Sequence, residues 1–264
     1  MIRLALCTAL ALALAGCQPA TKSFVGTWVD LTHPFSKSTI YWPTDTLGFA
    51  HDTLSYGKTP GGWFYSAYRY TAAEHGGTHL DAPIHFAEGR QAADEIPLEN
   101  LIGPAVVVDV SDHATPDYQV SVADLEAWET AHGAIPDGAI LLVRTGWDAR
   151  YNDRAAYLGT DETGPGAVPK LHFPGLAPEA AQWLVDNRKI HAFGLDTPSV
   201  DYGQSKDFRT HVILYEQNIP GFENLFNLAS LPATGASVVA LPMKIEGGSG
   251  APLRIVGFVP KPSF

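Results

Sequence analysis

Cysteine is nearly absent from this chain of 264 residues, whose two cysteines are Cys7 and Cys17. We therefore expect no disulfide framework, and the lack of thiolates points away from a structural zinc site. Basic residues are also scarce, because 17 Lys and Arg stand against 28 Asp and Glu, for a formal net charge of -11. A surface of that sign repels phosphate backbones, so we expect no nucleic-acid partner.

The sequence also lacks a glycine loop of the Walker or dinucleotide type before a readable helix, which argues against nucleotide cofactors. Its first apolar run, residues 4–15, is shorter than the about 20 residues that span a bilayer. That run follows Arg3 and ends in Leu14-Ala15-Gly16-Cys17, which resembles a bacterial lipoprotein processing site. The alternative is a cytosolic protein with an apolar first helix.

These signals predict a signal peptide over residues 1–16, lipidation of Cys17 and a polar tether over residues 17–23. The protein would then reside in the periplasm or cell envelope and touch the membrane only through its lipid anchor. Residues 24–264 carry no linker, charge block or repeat, so we expect them to form one domain.

Periodicity predicts a mixed α/β fold for that domain, because β-rich runs alternate with helical ones. The predicted strands cover residues 27–32, 37–41, 63–71, 105–110, 139–144, 192–195, 237–241 and 254–259. The predicted helices cover residues 122–132, with Ser121 as the cap, 178–188 and 210–215. Residues 48–62 and 151–175 are predicted to be long loops that form lids or binding walls.

Chemistry concentrates in one segment, where three histidines and one aspartate fall within eleven residues. His75, His79, Asp81 and His85 are all odd-numbered, so in an extended chain they project toward one side. Gly76-Gly77 and Pro83 disfavour a helix here. We therefore predict an extended or looped strip of metal-ligating groups.

Imidazole and carboxylate together suit zinc or manganese, and a carboxylate can bridge two ions. From the local sequence alone, His211 is expected to be a helix-capping residue and Glu223 a surface residue. The remaining histidines are individually expected to be ordinary hydrogen-bonded core or surface residues: His33, His51, His113, His132, His172 and His191.

Residues 75–86 read His-x-Gly-Thr-His-x-Asp-x-Pro-x-His-Phe from His75, which resembles the signature of the cyclase family of metal-dependent hydrolases. That family includes bacterial kynurenine formamidases and isatin hydrolases. The agreement extends to residues 41–43, 194–199, 211–225, 227–228 and 244–252. The resemblance implies the family's swivelling β/β/α fold and a homodimer or larger homo-oligomer whose chains complete one another's sites.

The resemblance also implies roles for single residues. His75, His79 and Asp81 would hold a first metal, and Asp81 would share a second with His211 and Glu223. The ions would be zinc or manganese, one or two per site. His85 would be the proton shuttle, and Trp42 would line the substrate side, although ordinary core packing is an equal reading of Trp42. Thr78 or Asp196 could orient ligands through hydrogen bonds.

The implied reaction is hydrolysis of a C–N bond in a small cyclic or aromatic amide or lactam, through a metal-activated water and His85. Ring opening of the isatin hydrolase type is favoured, because an exported enzyme meets compounds from outside the cell. The alternatives are removal of a formyl group, as in arylformamidases acting on N-formylkynurenine, and a non-catalytic periplasmic metal- or ligand-binding lipoprotein. Retention of His85 favours catalysis.

Overall fold

The computed structural model describes residues 25–261, so the predicted signal peptide and the whole predicted tether lie outside the described residues. The strands are β1 (Gly26–Asp30), β2 (Ala50–Lys58), β3 (Phe64–Thr71), β4 (His79–Asp81), β5 (Ile102–Asp109), β6 (Gln119–Val120), β7 (Ile140–Arg144), β8 (Gly175–Leu176), β9 (Ala192–Leu195), β10 (Gly221–Glu223), β11 (Ser237–Pro242) and β12 (Gly250–Pro260). The α-helices are α1 (Val122–His132), α2 (Arg154–Leu158), α3 (Pro178–Asn187) and α4 (Arg209–Tyr215). Short 3-10 helices cover Pro83–His85, Leu98–Asn100, Trp147–Arg150, Pro165–Lys170 and Leu228–Ser230.

Eight strands form the main sheet in the order β1-β12-β11-β5-β7-β9-β10-β4. Strands β5, β7, β9 and β10 run parallel to their neighbours in that series, and the other pairs are antiparallel. Because β4 also pairs with the start of β12, the sheet closes into a barrel. The prediction of a mixed α/β domain is confirmed.

The central strands are apolar along their whole length because both of their faces are buried. In β5, Val106 and Val108 belong to the apolar cluster that includes side chains of α1, α3 and α4. Their neighbour Val107 belongs instead to the cluster shared with β12 and β10, which holds Phe222 and Ile255. The alternation of side chains along β5 therefore separates a helix-covered outer layer from the barrel interior.

Local sequence signals set the helix ends. Ser121 and Asp124 form a capping box at the start of α1, in which each side chain accepts a hydrogen bond from the other residue's backbone N–H. Pro178 occupies the first turn of α3, where its missing N–H costs nothing. The predicted helices over residues 122–132 and 178–188 are confirmed, the second ending one residue early.

Two predictions about local structure are wrong. Residues 37–41 are not a strand, because Ser36 and Thr39 close a turn through Thr39 N–H to Ser36 O and Ser36 N–H to Thr39 Oγ1. Residues 48–62 are not simply a loop, because β2 occupies most of them and pairs with β3 in a separate two-stranded hairpin. Residues 151–175 hold α2 and a 3-10 helix between loop segments.

Within residues 25–261, no helix combines the length and the apolar character that a bilayer crossing requires.

Candidate metal centre

The centre begins at the turn that leads into β4. Gly77 has φ of 58°, in the left-handed region, and a Cβ there would lie 2.9 Å from atoms of Phe35 and Thr39. A Cβ on Gly76 would lie 2.1 Å from the ring of Tyr41, with which Gly76 forms an isolated β-bridge. The two glycines thus let the chain turn against these neighbours and present His75 beside β4.

The extended part of the predicted strip is confined to β4, which holds His79 and Asp81. His75 lies in the preceding turn and His85 in the 3-10 helix Pro83–His85. The interruption follows from the left-handed glycine on one side and Pro83 on the other. The side chains nevertheless converge, since the His75 and His85 rings stack with centroids 3.8 Å apart.

Strand β10 and helix α4 complete the cluster. Glu223 pairs with His79 in the β10–β4 register, and α4 places His211 over the same point. Two ligand sets result, one of His75, His79 and Asp81 and the other of Asp81, His211 and Glu223, with the candidate ligand atoms of each set within 4.8 Å of one another. Asp81 belongs to both sets.

The ring hydrogen bonds of two histidines define which nitrogen faces the centre. His79 Nδ1 is 2.9 Å from the carbonyl oxygen of Gly77, and His211 Nδ1 is 2.5 Å from Asp201 Oδ2. A carbonyl or a carboxylate only accepts, so both Nδ1 atoms donate, and Nε2 is the nitrogen of each ring that can bind a metal after losing its proton. His79 Nε2 is buried without a hydrogen-bond partner, 3.1 Å from Asp81 Oδ1.

This donor set fits a divalent metal. Three imidazoles and two carboxylates meet in a buried space, and an orphaned lone pair on His79 Nε2 points among the carboxylates. Buried polar atoms are normally satisfied, so the missing partner of His79 Nε2 is accounted for by a cation. Nitrogen and oxygen donors without thiolate are the set expected of a catalytic rather than a structural site.

The ionisation of the cluster agrees with that fit. Burial lowers the pKa of His79, but Asp81 and Glu223 outweigh it and raise the pKa to about 8. Burial also opposes the charged form of Asp81, yet three histidines hold its pKa well below the usual range. Burial and then the charge of Asp81 raise the pKa of Glu223. Protons therefore occupy positions from which a bound cation would release them.

His85 has the opposite character. Burial is the main cause that lowers its pKa to about 4, and only Asp81 acts against that shift. Its ring is consequently a neutral imidazole near pH 7, and it lies against His75 at the edge of the centre.

A cavity of about 240 Å³ opens above these groups. Its lining also includes apolar and aromatic side chains, those of Trp42, Phe86, Leu158 and Phe208. The rings of Trp42 and Phe208 meet edge to face at 6.4 Å. The described residues that line the cavity include no Lys or Arg. Trp42 lines the cavity and also packs against Phe173 of the neighbouring apolar cluster.

The structure brings together every predicted site residue of the described chain: Trp42, His75, His79, Asp81, His85, His211 and Glu223 all line this one cavity. Cys17 lies outside the described residues. The two residues suggested as orienting groups are elsewhere, because Thr78 bonds His33 N–H and Asn224 O, and Asp196 accepts from Thr145 and Gly146.

Sequence reasoning missed the groups that do contact ligands. Asp201 accepts from His211, and Tyr215 Oη donates to Asp81 Oδ2 over 2.9 Å. Tyr215 could have been found from the sequence, since it lies one helical turn after His211 and so shares its face of α4. Gly221 permits this contact, because a Cβ there would lie 2.4 Å from Tyr215 Oη.

Barrel, buried centre and neutral imidazole together define a metal-dependent hydrolase. The Cyclase family model, described as "Putative cyclase", matches residues 29–202 of the 264. The chain therefore belongs to the cyclase family, as its motifs predicted.

Isatin hydrolase of Roseibium aggregatum is 39% identical over 198 residues, covering 71% of this chain and 73% of that one. Kynurenine formamidase of Salinibacter ruber is 29% identical over 228 residues, covering 86% of this chain and 95% of that one. Among solved structures, isatin hydrolase A from Ralstonia solanacearum superposes with a TM-score of 0.77 at 36% identity, covering 88% of this chain and 92% of that one. The similarity thus spans the barrel and the centre together.

Proposed function

We propose that this protein opens the ring of a small, neutral cyclic amide of the isatin type by hydrolysing its C–N bond. The observation that carries the proposal is the cavity, whose lining combines the candidate metal ligands with the aromatic rings of Trp42, Phe86 and Phe208. Such a lining suits a flat ring. The similarity to two isatin hydrolases supports the same substrate class.

In this proposal His75, His79 and Asp81 hold one divalent ion, and Asp81, His211 and Glu223 hold a second. Zinc and manganese both suit these nitrogen and oxygen donors. When bound, the metal supplies a Lewis acid that activates water and polarises the amide carbonyl. Metal analysis of the purified protein by mass spectrometry, followed by reconstitution with each ion, measures both identity and number.

His85 moves the proton. Its neutral ring accepts a proton from the attacking water through a ring nitrogen and returns it to the departing amide nitrogen. The stacked His75 ring and the adjacent Phe86 keep the His85 ring in place and limit its contact with solvent. Proton transfer of this kind contributes about 10²- to 10⁴-fold in rate.

Arylformamidase activity is the second candidate, because the kynurenine formamidase of Salinibacter ruber aligns over most of both chains. N-formylkynurenine carries an amino-acid carboxylate, whereas the described lining of the cavity offers no Lys or Arg to pair with it. The charge of the cavity therefore ranks the ring-opening reaction first.

The first experiment compares isatin and N-formylkynurenine as substrates of the protein stripped of metal and then given zinc or manganese. We expect metal-restored turnover of isatin, and a loss of about 10²- to 10⁴-fold in His85→Ala with metal still bound. Turnover of N-formylkynurenine alone would select the arylformamidase. Tight metal binding without turnover of either compound would leave a metal- or ligand-binding lipoprotein.

Export and anchoring belong to the same proposal. Val25, the first described residue, is 55% exposed and precedes β1 at the edge of the sheet, so a preceding tether has free access to solvent. We expect labelled palmitate to be incorporated into the wild-type protein in cells and not into Cys17→Ser. A periplasmic location predicts that the wild type fractionates with the cell envelope.

A homo-oligomer is proposed from the β2–β3 hairpin. Its large side chains are mostly exposed, with Tyr56 70%, Trp63 64% and Phe64 58% accessible. Exposed apolar patches of this kind mark interaction surfaces, and we assign a second copy of this chain as the occupant. Light scattering should show a dimer or larger species that Tyr56→Glu with Phe64→Glu shifts toward the monomer. An unchanged mass would exclude the hairpin as the interface.

A further inference from the structure

His75 differs from the other two histidines of the centre in how it is held. The side chains of His79 and His211 are 3% and 4% exposed, whereas that of His75 is 23% exposed. Surrounding atoms therefore fix His75 less completely. Its orientation needs a specific partner on the ring nitrogen that does not face Asp81.

That partner is the hydroxyl of Ser249. His75 Nε2 lies 2.9 Å from Ser249 Oγ, and His75 Nδ1 lies 2.7 Å from Asp81 Oδ1. A serine hydroxyl can either donate to a histidine or accept from it. The direction of this hydrogen bond depends on where the single hydroxyl proton of Ser249 goes.

Glu74 settles the direction. Ser249 Oγ lies 2.7 Å from Glu74 Oε2, and the backbone N–H groups of Ser249 and Gly250 donate to the same oxygen over 2.9 and 3.3 Å. A carboxylate has no proton to give, so the hydroxyl proton points to Glu74. Ser249 Oγ must then accept from His75 Nε2–H, so His75 Nδ1, which lies 2.7 Å from Asp81 Oδ1, is the nitrogen that is left for a metal shared with Asp81.

The backbone around Ser249 is shaped for this contact. A Cβ on Gly250 would lie 2.5 Å from His75 Cε1, so only glycine lets the ring lie against the strand. The carbonyl oxygen of Ser249 also accepts from Ala82 N–H over 2.9 Å, just after β4. Ser249 is thereby tied to both ends of the ligand strip.

We propose that Glu74 and Ser249 are positioning residues, and that a relay from Glu74 through Ser249 to His75 keeps a proton on His75 Nε2. Nδ1, which donates to Asp81 in the metal-free protein, is thereby the ring nitrogen that binds the metal. The relay rests on the proposed metal site, and it holds for one bound ion or two.

The first test is metal affinity, measured by competition between a zinc chelator and the metal-free protein. We expect Ser249→Ala to bind the ion shared by His75 and Asp81 about 10- to 100-fold more weakly. Ser249→Thr keeps the hydroxyl and should restore the affinity to within about threefold of wild type, on the same reasoning. Equal affinity of Ser249→Ala and wild type would overturn the relay.

Ser121→Ala is the matched control. Ser121 also donates from both its backbone nitrogen and its Oγ to one carboxylate, that of Asp124, but no histidine lies behind its hydroxyl in the described hydrogen bonds. Its loss should weaken the start of α1 and leave zinc affinity unchanged. If Ser121→Ala lowered zinc affinity as much as Ser249→Ala, the loss would reflect lower stability of the whole protein and not the relay.

The second test reads the proton directly. In histidine-labelled protein loaded with zinc, ¹H–¹⁵N long-range NMR should place the His75 proton on Nε2 and the metal on Nδ1. Ser249→Ala and Glu74→Ala should each give a mixture of rings bound through Nδ1 and through Nε2. Binding of zinc through His75 Nε2 in the wild type would overturn the relay. A protein that binds no zinc but keeps a proton on His75 Nε2 would support the relay while refuting the proposed hydrolase.

Discussion

The metal centre and the β2–β3 hairpin are built from similar residues and have opposite surroundings. Both combine histidine with aromatic rings, and both contain a His ring stacked on another ring: His85 on His75 in the centre, and His51 on Tyr68 in the hairpin. The centre lies between β4, β10 and α4, whereas the hairpin pairs only with itself and exposes most of its side chains.

The comparison shows that covering layers, more than residue type, give these side chains their chemistry. In the centre, burial limits screening by solvent, so each carboxylate changes the ionisation of its neighbours. In the hairpin, Asp52 and Arg69 form an exposed pair, which contributes little. Matched substitutions in the two regions should therefore differ widely in effect.

The largest difference is expected between two Asp→Asn substitutions. Asp81→Asn removes the carboxylate shared by both ligand sets and should lower kcat/KM by roughly 10³-fold or more, with loss of bound metal. Asp52→Asn in the hairpin should change neither kcat/KM nor the amount of bound metal. Steady-state kinetics and metal analysis of the two purified variants make the comparison. Similar losses in both would mean that the cluster is not the catalytic centre.

The next difference concerns stability in acid and compares two stacked histidines, His33 and His51. His33 is 6% exposed, stacks on Tyr151 at 3.6 Å, and burial lowers its pKa to about 4. Since the unfolded chain takes up this proton near pH 6.5 and the folded chain does not, stability is complete above that pH. It should fall by roughly 3 kcal/mol as the pH drops to about 4.

Urea unfolding at several pH values checks this expectation. His33→Phe should flatten the loss between pH 6.5 and 4, whereas His51→Phe, a change on the exposed hairpin, should keep the wild-type slope. Identical slopes in wild type and His33→Phe would assign the acid sensitivity to other groups.

The smallest difference is expected between two tryptophans. Trp42 lines the cavity, and Trp42→Leu should raise the KM for isatin by about tenfold, because a flat-ring contact of up to about 1.5 kcal/mol is lost. Trp63 is 64% exposed in the hairpin turn, and Trp63→Leu should leave KM unchanged. A rise in KM for Trp63→Leu would show that the hairpin contributes to a substrate cavity, such as that of a second copy of the chain.

Much of the fold was predictable where signals are local. The capping box of Ser121 and the first-turn Pro178 set the two long helices. The strand predicted over residues 37–41 failed because its β-forming side chains are outweighed by a turn that Ser36 and Thr39 close. Strand β2 was missed because exposure of both faces removes the apolar alternation by which strands are recognised.

The residues of the centre likewise divide into those that the local sequence predicts and those that it does not. The strip from His75 to His85 was found because its groups are close in sequence, while His211 and Glu223 entered only through the family resemblance. Ser249 lies in the segment 244–252 that matches the family, but neither it nor Asp201 was assigned a role. Ser249 is 174 residues from its partner His75, and only closure of the barrel brings the two together. The contacts that orient ligands are long-range products of the fold.

That closure constrains when the protein can acquire its metal. Asp81 lies opposite Gly221 on one side and Gly250 on the other, and β12 is the last strand of the described chain. A nascent chain still attached to the ribosome has all five ligands after residue 223, but nothing holds β4 against its second neighbour. The ion supply that matters is consequently the one that the finished polypeptide meets after synthesis, in whichever compartment it folds.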